Sequence, residues 1–242
     1  GMLSRAKRDG DHYILNGTKM WITNGGISHL AIVWARNDEG EVIGLVVDRD
    51  TPGFTARDIG KKFSLRASVT SELHFDQCRV PVSQQLNVKG LRGPFSCLNQ
   101  ARFGIAFGAI GAAMACLDEA IQYAKTRVQF DRPIAQFQLV QAKLTNMATE
   151  VTKAQWLTLR LGRLKDQERV EPHQISMCKM NNVRMALDVA RTCRVLGASG
   201  ITYEYQVGRH MLNLESVNTY EGTEDIHRLI VGEKLTGLPA YK

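Results

Sequence analysis

One acid in this sequence is set up to move a proton. Glu221 follows Val217-Asn218-Thr219-Tyr220 and precedes Gly222-Thr223-Glu224-Asp225-Ile226-His227. The Thr223 hydroxyl can cap a helix, and Glu224 and Asp225 suit the positive end of its dipole. Ile226, Leu229, Ile230 and Leu235 then keep helical spacing, and Gly237 and Pro239 end the segment. Glu221 therefore sits on the approach to a helix N-terminus, where a carboxylate can be held and aimed as a general base. On type and spacing alone, an exposed loop acid fits the same residues, because short motifs match often by accident.

Four further groups carry donors or flat rings. Trp21-Ile22-Thr23 offers an apolar wall and one hydroxyl; a core tryptophan on a strand with a polar end reads the same way. Arg127, Gln129 and Phe130 precede Pro133 and Gln138. The arginine suits an anionic ligand and equally the negative end of a helix dipole. Leu196-Gly197-Ala198-Ser199 allows close backbone approach to an oxygen, or simply caps a helix. Asn99 and Arg102 lie one helical step apart after Phe95, although helix capping explains Asn99 as well. The six histidines show no metal-ligand spacing, so no metal site is expected.

These groups need a frame. The first part of the chain is β-rich. Asp9-Gly10 and Asn16-Gly17 are tight-turn dipeptides around His12-Tyr13-Ile14-Leu15, which predicts a hairpin. Further strands are expected over 19–23, 29–35, 42–47, 54–59 and 71–80, with no helix between them, so the sheet is antiparallel or a small barrel. Pro81 marks the boundary. Helical patterns are expected from about Gly93, from Pro133 to about Asp166, from Pro172 to about Leu196, and after Glu221. The helix over 105–124 is apolar or small on nearly every face and belongs inside a bundle. The expected class is α+β multidomain: an antiparallel, barrel-like β domain over 1–85, then an up-and-down four-helix bundle over 86–242.

Composition is that of a globular protein, 44% hydrophobic and 23% charged. The net charge of +7 is spread among acids without Lys/Arg runs, which suits a phosphate-rich small ligand and argues against nucleic acid. No uninterrupted apolar run is long enough to cross a bilayer, so no membrane is expected. Cys78, Cys97, Cys116, Cys178 and Cys193 form no C-x-x-C pair and read as buried reduced thiols. Gly1 before Met2 reads as a remnant of tag removal, with no signal or transit segment after it.

Tyr220-Glu221-Gly222-Thr223 near the end, Trp21-Ile22-Thr23-Asn24 near the β-rich start and Arg127-Val128-Gln129-Phe130 between two long helices together resemble the acyl-CoA dehydrogenase family. Lys62 to Ser68, Cys97 to Arg102, Gly162 to Gln167 and Asn213 to Thr223 resemble its glutaryl-CoA dehydrogenase branch. The resemblance implies FAD as cofactor. Trp21, Ile22 and Thr23 would lie against its flavin ring. Arg127 and Gln138 would engage the pyrophosphate, in a segment that usually reaches across to the FAD of a neighbouring subunit, with Gln129 and Phe130 also in the implied cofactor set. Leu196 to Ser199 would sit beside the adenine-side phosphates, where the family usually has Gly-Gly-Asn-Gly and this chain has Ala198 and Ser199 instead. Thr223 and Asp225 complete the implied cofactor set.

The resemblance further implies an acyl-CoA substrate, glutaryl-CoA, held by Phe95, Asn99, Arg102, Tyr220, Gly222 and Tyr241, with Glu221 as the base. Electrons would pass to an electron-transferring flavoprotein. A homodimer or homotetramer is expected, in a bacterial cytoplasm or, in a eukaryote, the mitochondrial matrix. Family members begin with a helical domain ahead of the β part. This chain is expected to start just after it and so to bind FAD weakly and turn over poorly. Another acyl-CoA dehydrogenase, an acyl-CoA oxidase, or a non-catalytic oligomerisation module carrying the same residues are the competing readings.

Overall fold

The computed structural model describes residues 2–240 and divides into two compact units, one up to Cys97 and one from Leu98 onward. The first unit is a seven-stranded sheet of β1 (Arg5–Asp9), β2 (His12–Thr23), β3 (Leu30–Arg36), β4 (Val42–Asp48), β5 (Phe54–Asp58), β6 (Thr70–Pro81) and β7 (Gln85–Lys89). The strands pair in the order β5-β6-β2-β1-β3-β4-β7. Pairing is antiparallel except for a single parallel position, Arg5 against Arg36. Alternation along β2 and β6 buries Tyr13, Leu15, Leu73, Phe75 and Val80 on one face, where Phe54 stacks on Phe75 with centroids 4.8 Å apart.

β1 is short and highly charged and β7 is short with a single charge, and the apolar patterning reveals neither. Asp9-Gly10 makes the expected turn into β2, with Gly10 at φ +61°. Asn16-Gly17 does not turn. It forms a bulge within β2 opposite β6, and Gly17 lies against Ser4, where a Cβ would come within 2.6 Å of the hydroxyl. A dipeptide suited to positive φ serves a bulge as well as a hairpin.

The second unit carries most of α1 (Arg92–Thr126), then the two-residue strands β8 (Val128–Gln129) and β9 (Arg132–Pro133), α2 (Gln138–Asp166), α3 (Pro172–Thr192), α4 (Val207–Thr219) and α5 (Glu224–Thr236). Among the described residues the four expected helices, α1, α2, α3 and α5, are joined by a fifth, α4. α4 escapes patterning because its apolar positions, Val207, Met211, Leu214 and Val217, are diluted by polar neighbours over only 13 residues. α2 begins at Gln138 rather than Pro133, since Arg132–Pro133 is engaged with β8. α3 starts at Pro172 as expected, behind a capping box of Glu171 and Gln174. It ends at Thr192, and the chain continues as a 3-10 helix through Ile201 with Gly197 at φ +60°.

By length and composition α1 is apolar enough to cross a membrane, a test that the buried core helix of a globular unit also passes. Its small faces, Ala106, Ala109, Ala113, Cys116 and Ala120, are buried in the helical unit. Two polar contacts fix helix placement. Asn182 on α3 donates to the Ala106 carbonyl (2.9 Å) and to the Thr158 hydroxyl (2.6 Å), tying α1, α2 and α3 together in the buried interior. The Glu119 carboxylate on α1 accepts from the backbone N–H of Gln206 (2.8 Å) and Val207 (3.0 Å), anchoring the positive end of α4. The far end of α4 delivers Tyr220 and Glu221. All five cysteines are free thiols; four are buried and Cys97 is exposed.

Candidate active site

Glu221 lies in the four-residue turn between α4 and α5, at φ +56°, with Gly222 at φ +91°. A left-handed conformation costs a non-glycine residue on the order of 1–2 kcal/mol, so the surroundings must impose it. Three side chains from three helices do so. Arg102 on α1 donates its Nε–H to the Glu221 carbonyl at 2.8 Å. The Lys179 ammonium on α3 donates to the carbonyls of Tyr220 (2.9 Å) and Gly222 (2.7 Å). The His227 ring on α5 fills the space under Gly222: a Cβ there would come within 3.0 Å of the ring and 3.3 Å of the Arg102 guanidinium. Glycine at 222 is thus required by backbone angle and by space together.

The carboxylate itself is held differently. Glu221 Oε2 is buried and has no hydrogen-bond partner. Burial raises its pKa above 4.5, opposed by the positive charges of Arg102 and Lys179. A groove of about 420 Å³ runs between α1 and α4 along Ala101, Gly104, Gly108 and Ala112 on one side and Val217 on the other, and reaches Tyr220. An unsatisfied, partly desolvated carboxylate near an apolar groove is equipped to take a proton from a carbon acid bound there. The Glu221 N–H makes no hydrogen bond among the described residues, leaving it available to an incoming oxygen.

The expected start of the last helix holds. Thr223 is its N-cap, accepting from the Ile226 N–H at 3.3 Å, with Glu224 and Asp225 in the first turn and Gly237 left-handed at its end. Thr223→Ala is expected to destabilise the protein by about 1 kcal/mol, read as a lower urea midpoint with unchanged slope. Asp225 is exposed and pairs with Arg228 at 3.0 Å.

Of the residues singled out in sequence, the helical unit brings Arg102, Tyr220, Glu221 and Gly222 together around the turn. Asn99 is half-buried one turn before Arg102 on α1. Arg127 is exposed just after α1, its N–H bonded to the Tyr123 carbonyl and its carbonyl accepting from Ile134. Gln129 and Phe130 form a tight hairpin with β9, with positive φ at Phe130 and Asp131; Phe130 is 78% exposed, edge-on to Phe137 at 6.2 Å. Gln138 opens α2 and is exposed. Leu196 is buried, Gly197 and Ala198 are exposed, and the Ser199 hydroxyl lies 3.3 Å from that of Tyr123.

In the sheet unit, Trp21 is not a core residue. It is 64% exposed at φ +62° on a bulge of β2, ahead of half-buried Ile22 and exposed Thr23 at the strand end. Phe95 is exposed on α1. Tyr241 lies outside the described residues. Taken unit by unit, the sheet unit offers an exposed flat ring at Trp21 with the Thr23 hydroxyl two residues on, and the helical unit offers an exposed guanidinium at Arg127 and a positive-φ glycine at Gly197; each is of a type that a flat-ringed or phosphate-bearing group can use.

Neither Lys179 nor His227 stands out by motif. The signal for Lys179 is positional: with Ile175, Cys178, Asn182, Val183 and Ala186 it lies on the buried face of α3, where a solvated lysine does not belong.

Residues 89–236 match the family described as acyl-CoA dehydrogenase, C-terminal domain, and residues 1–78 match acyl-CoA dehydrogenase, middle domain. The fold superposes on glutaryl-CoA dehydrogenase from Mycobacterium smegmatis with a TM-score of 0.98 and 58% identity, covering 100% of this chain and 63% of that one. A glutaryl-coenzyme A dehydrogenase in complex with glutaryl-CoA gives 0.91 and 33%, covering 98% and 62%. A probable acyl-CoA dehydrogenase of Bacillus subtilis (strain 168) is 35% identical over 97% of this chain and 64% of its own length. The chain thus spans under two thirds of these relatives. With both domains matched in order, the chain belongs to the acyl-CoA dehydrogenase family.

Proposed function

We propose that this protein oxidises an acyl-CoA thioester between its α and β carbons, with Glu221 as the base and FAD as the cofactor. The observation that carries the reading is the Glu221 carboxylate, buried on one oxygen and without a partner, in a turn that reaches an apolar groove. A solved relative, the Mycobacterium smegmatis glutaryl-CoA dehydrogenase at 55% identity, is described in complex with FADH2, which supports the cofactor.

In this reading the groove takes the acyl chain, and the Glu221 N–H donates to the thioester carbonyl. Polarising that carbonyl acidifies the α carbon. Glu221 removes the α proton and the electron pair left behind forms the new double bond as hydride departs from the β carbon. When bound, FAD supplies the hydride acceptor. Desolvation by substrate raises the Glu221 pKa further, bringing it closer to that of the carbon acid.

The substrate proposed is glutaryl-CoA, supported by the identities to glutaryl-CoA dehydrogenases. After oxidation its γ-carboxylate is lost as CO2, with the electrons of the broken bond running into the conjugated thioester. The proton on Glu221 can then return to carbon, giving crotonyl-CoA. An electron-transferring flavoprotein is the proposed electron acceptor, and a homodimer or homotetramer the proposed assembly.

The test is a visible spectrum of the purified protein with FAD, before and after glutaryl-CoA, with CO2, crotonyl-CoA and peroxide assayed together. The expected result is bleaching with equimolar CO2 and crotonyl-CoA. Bleaching without CO2 would assign a different acyl-CoA substrate, peroxide formation an oxidase, and no spectral change would overturn the reading.

A further inference from the structure

Lys179 is the largest fully buried side chain among the described residues, 1% exposed on the apolar face of α3. Its partners are two neutral carbonyls, those immediately before and after Glu221. A buried ammonium is expensive unless it is bound tightly and serves a purpose that an apolar side chain could not. The charged and titratable groups around it come from every neighbouring element: Arg102 from α1, Tyr220 and Glu221 from the turn, Glu224 and His227 from α5. The His227 ring is fully buried, both its nitrogens lack partners, and the positive charges of Lys179 and Arg102 help keep it neutral. The charge under the turn is therefore set by two cations, Lys179 and Arg102, and two carboxylates, Glu221 and Glu224.

We propose that Lys179 is a positioning residue for Glu221: its ammonium clamps the carbonyls on both sides of that residue, holding the left-handed turn and fixing a positive charge behind the carboxylate. This rests on reading Glu221 as the base. The clamp keeps the side chain on a conformation the free backbone would avoid. The charge limits how far desolvation lifts the acid, so that Glu221 remains ionised and able to accept a proton before substrate arrives. Burial lowers the Lys179 pKa to about 8, so the clamp weakens just above neutral pH.

The test uses protein carrying [13Cδ]-glutamate, with the Glu221 signal assigned by its loss in Glu221→Gln. In the unsubstituted protein Glu221 should titrate above 4.5 and shift a second time near pH 8, as Lys179 loses its proton. In Lys179→Met the second step should vanish and the first move to higher pH. The acid limb of kcat/KM should move with it, and kcat should fall about 10- to 100-fold with KM changed less than about threefold. Lys179→Gln, which restores a donor without the charge, should regain part of the kcat loss and keep the raised titration. A merely structural lysine would lower the yield of folded protein and leave the Glu221 titration where it was, and that result overturns the proposal. Should Lys179→Met not fold, the second inflection in the unsubstituted protein decides, and its absence overturns the proposal. Coupled titration in a protein that turns over no acyl-CoA would support the positioning and overturn the dehydrogenase reading.

Discussion

Glu221→Gln is expected to lower the rate of flavin bleaching by acyl-CoA by about 10³-fold or more while leaving the fold intact, since a positioned general base contributes up to about 10⁴. Glutamine has nearly the same shape and the same backbone preferences, so Arg102 and Lys179 keep their bonds to the turn carbonyls. What is lost, in the proposed reading, is the carboxylate oxygen that takes the proton. Stopped-flow absorbance with excess substrate measures the change directly, and near-normal bleaching would remove Glu221 from the mechanism. A companion variant separates chemistry from stability. Glu221→Gly relieves a left-handed residue at φ +56° and should raise stability by about 1 kcal/mol while abolishing bleaching. Loss of both would mean that the side chain is structural.

The second large effect is on stability against acid. His227 is fully buried, its pKa lowered from 6.5 to about 4, by burial first and then by the charges of Lys179 and Arg102. A lowered folded pKa means that the unfolded chain binds the proton more tightly. The cost is absent above pH 6.5, grows as pH falls from 6.5 towards 4, and levels off below. At about 1.4 kcal/mol per unit, the loss is on the order of 2–3 kcal/mol across that window. Glu221 works against it, since its raised pKa lets the folded state keep a proton to higher pH. Lys179 is protonated in both states throughout the window and adds no slope there. Urea midpoints taken between pH 7.5 and 4.5 should therefore fall steeply, and His227→Gln should flatten the curve. An equal slope in the variant would assign the acid sensitivity to other groups.

Much of this frame can be read from residue order. Thr223 caps the last helix and Gly237 ends it because capping depends on the side chain at one position, which a sequence displays. Six of the seven main strands lie along or beside apolar alternation or a turn dipeptide, and Asp9-Gly10 turns as expected. Asn16-Gly17 does not, because a glycine tolerant of positive φ answers equally to a bulge, and only the partner strand decides. α4 is hidden by its polar residues, being held by a distant carboxylate, Glu119, on another helix. At the site, the acid and its glycine are visible as neighbours, whereas the residues that force their shape are 119, 42 and 6 positions away from Glu221, at Arg102, Lys179 and His227. Those contacts belong to tertiary packing, and a sequence shows only their trace: a lysine where the helix face should be apolar.

The cysteines have a practical consequence. Burial pushes up the Cys78 thiol and lifts Cys178 to about 11, and the hydrogen bond to Cys116 together with burial raises Cys193, so all three resist ionisation and alkylation. Cys116 is fully enclosed. Cys97 alone faces outward, two residues before Asn99 on α1. Maleimide reagents at neutral pH are thus directed to one sulfur of five, and a fluorophore or spin label can be installed there on the native sequence, with no cysteine replaced beforehand.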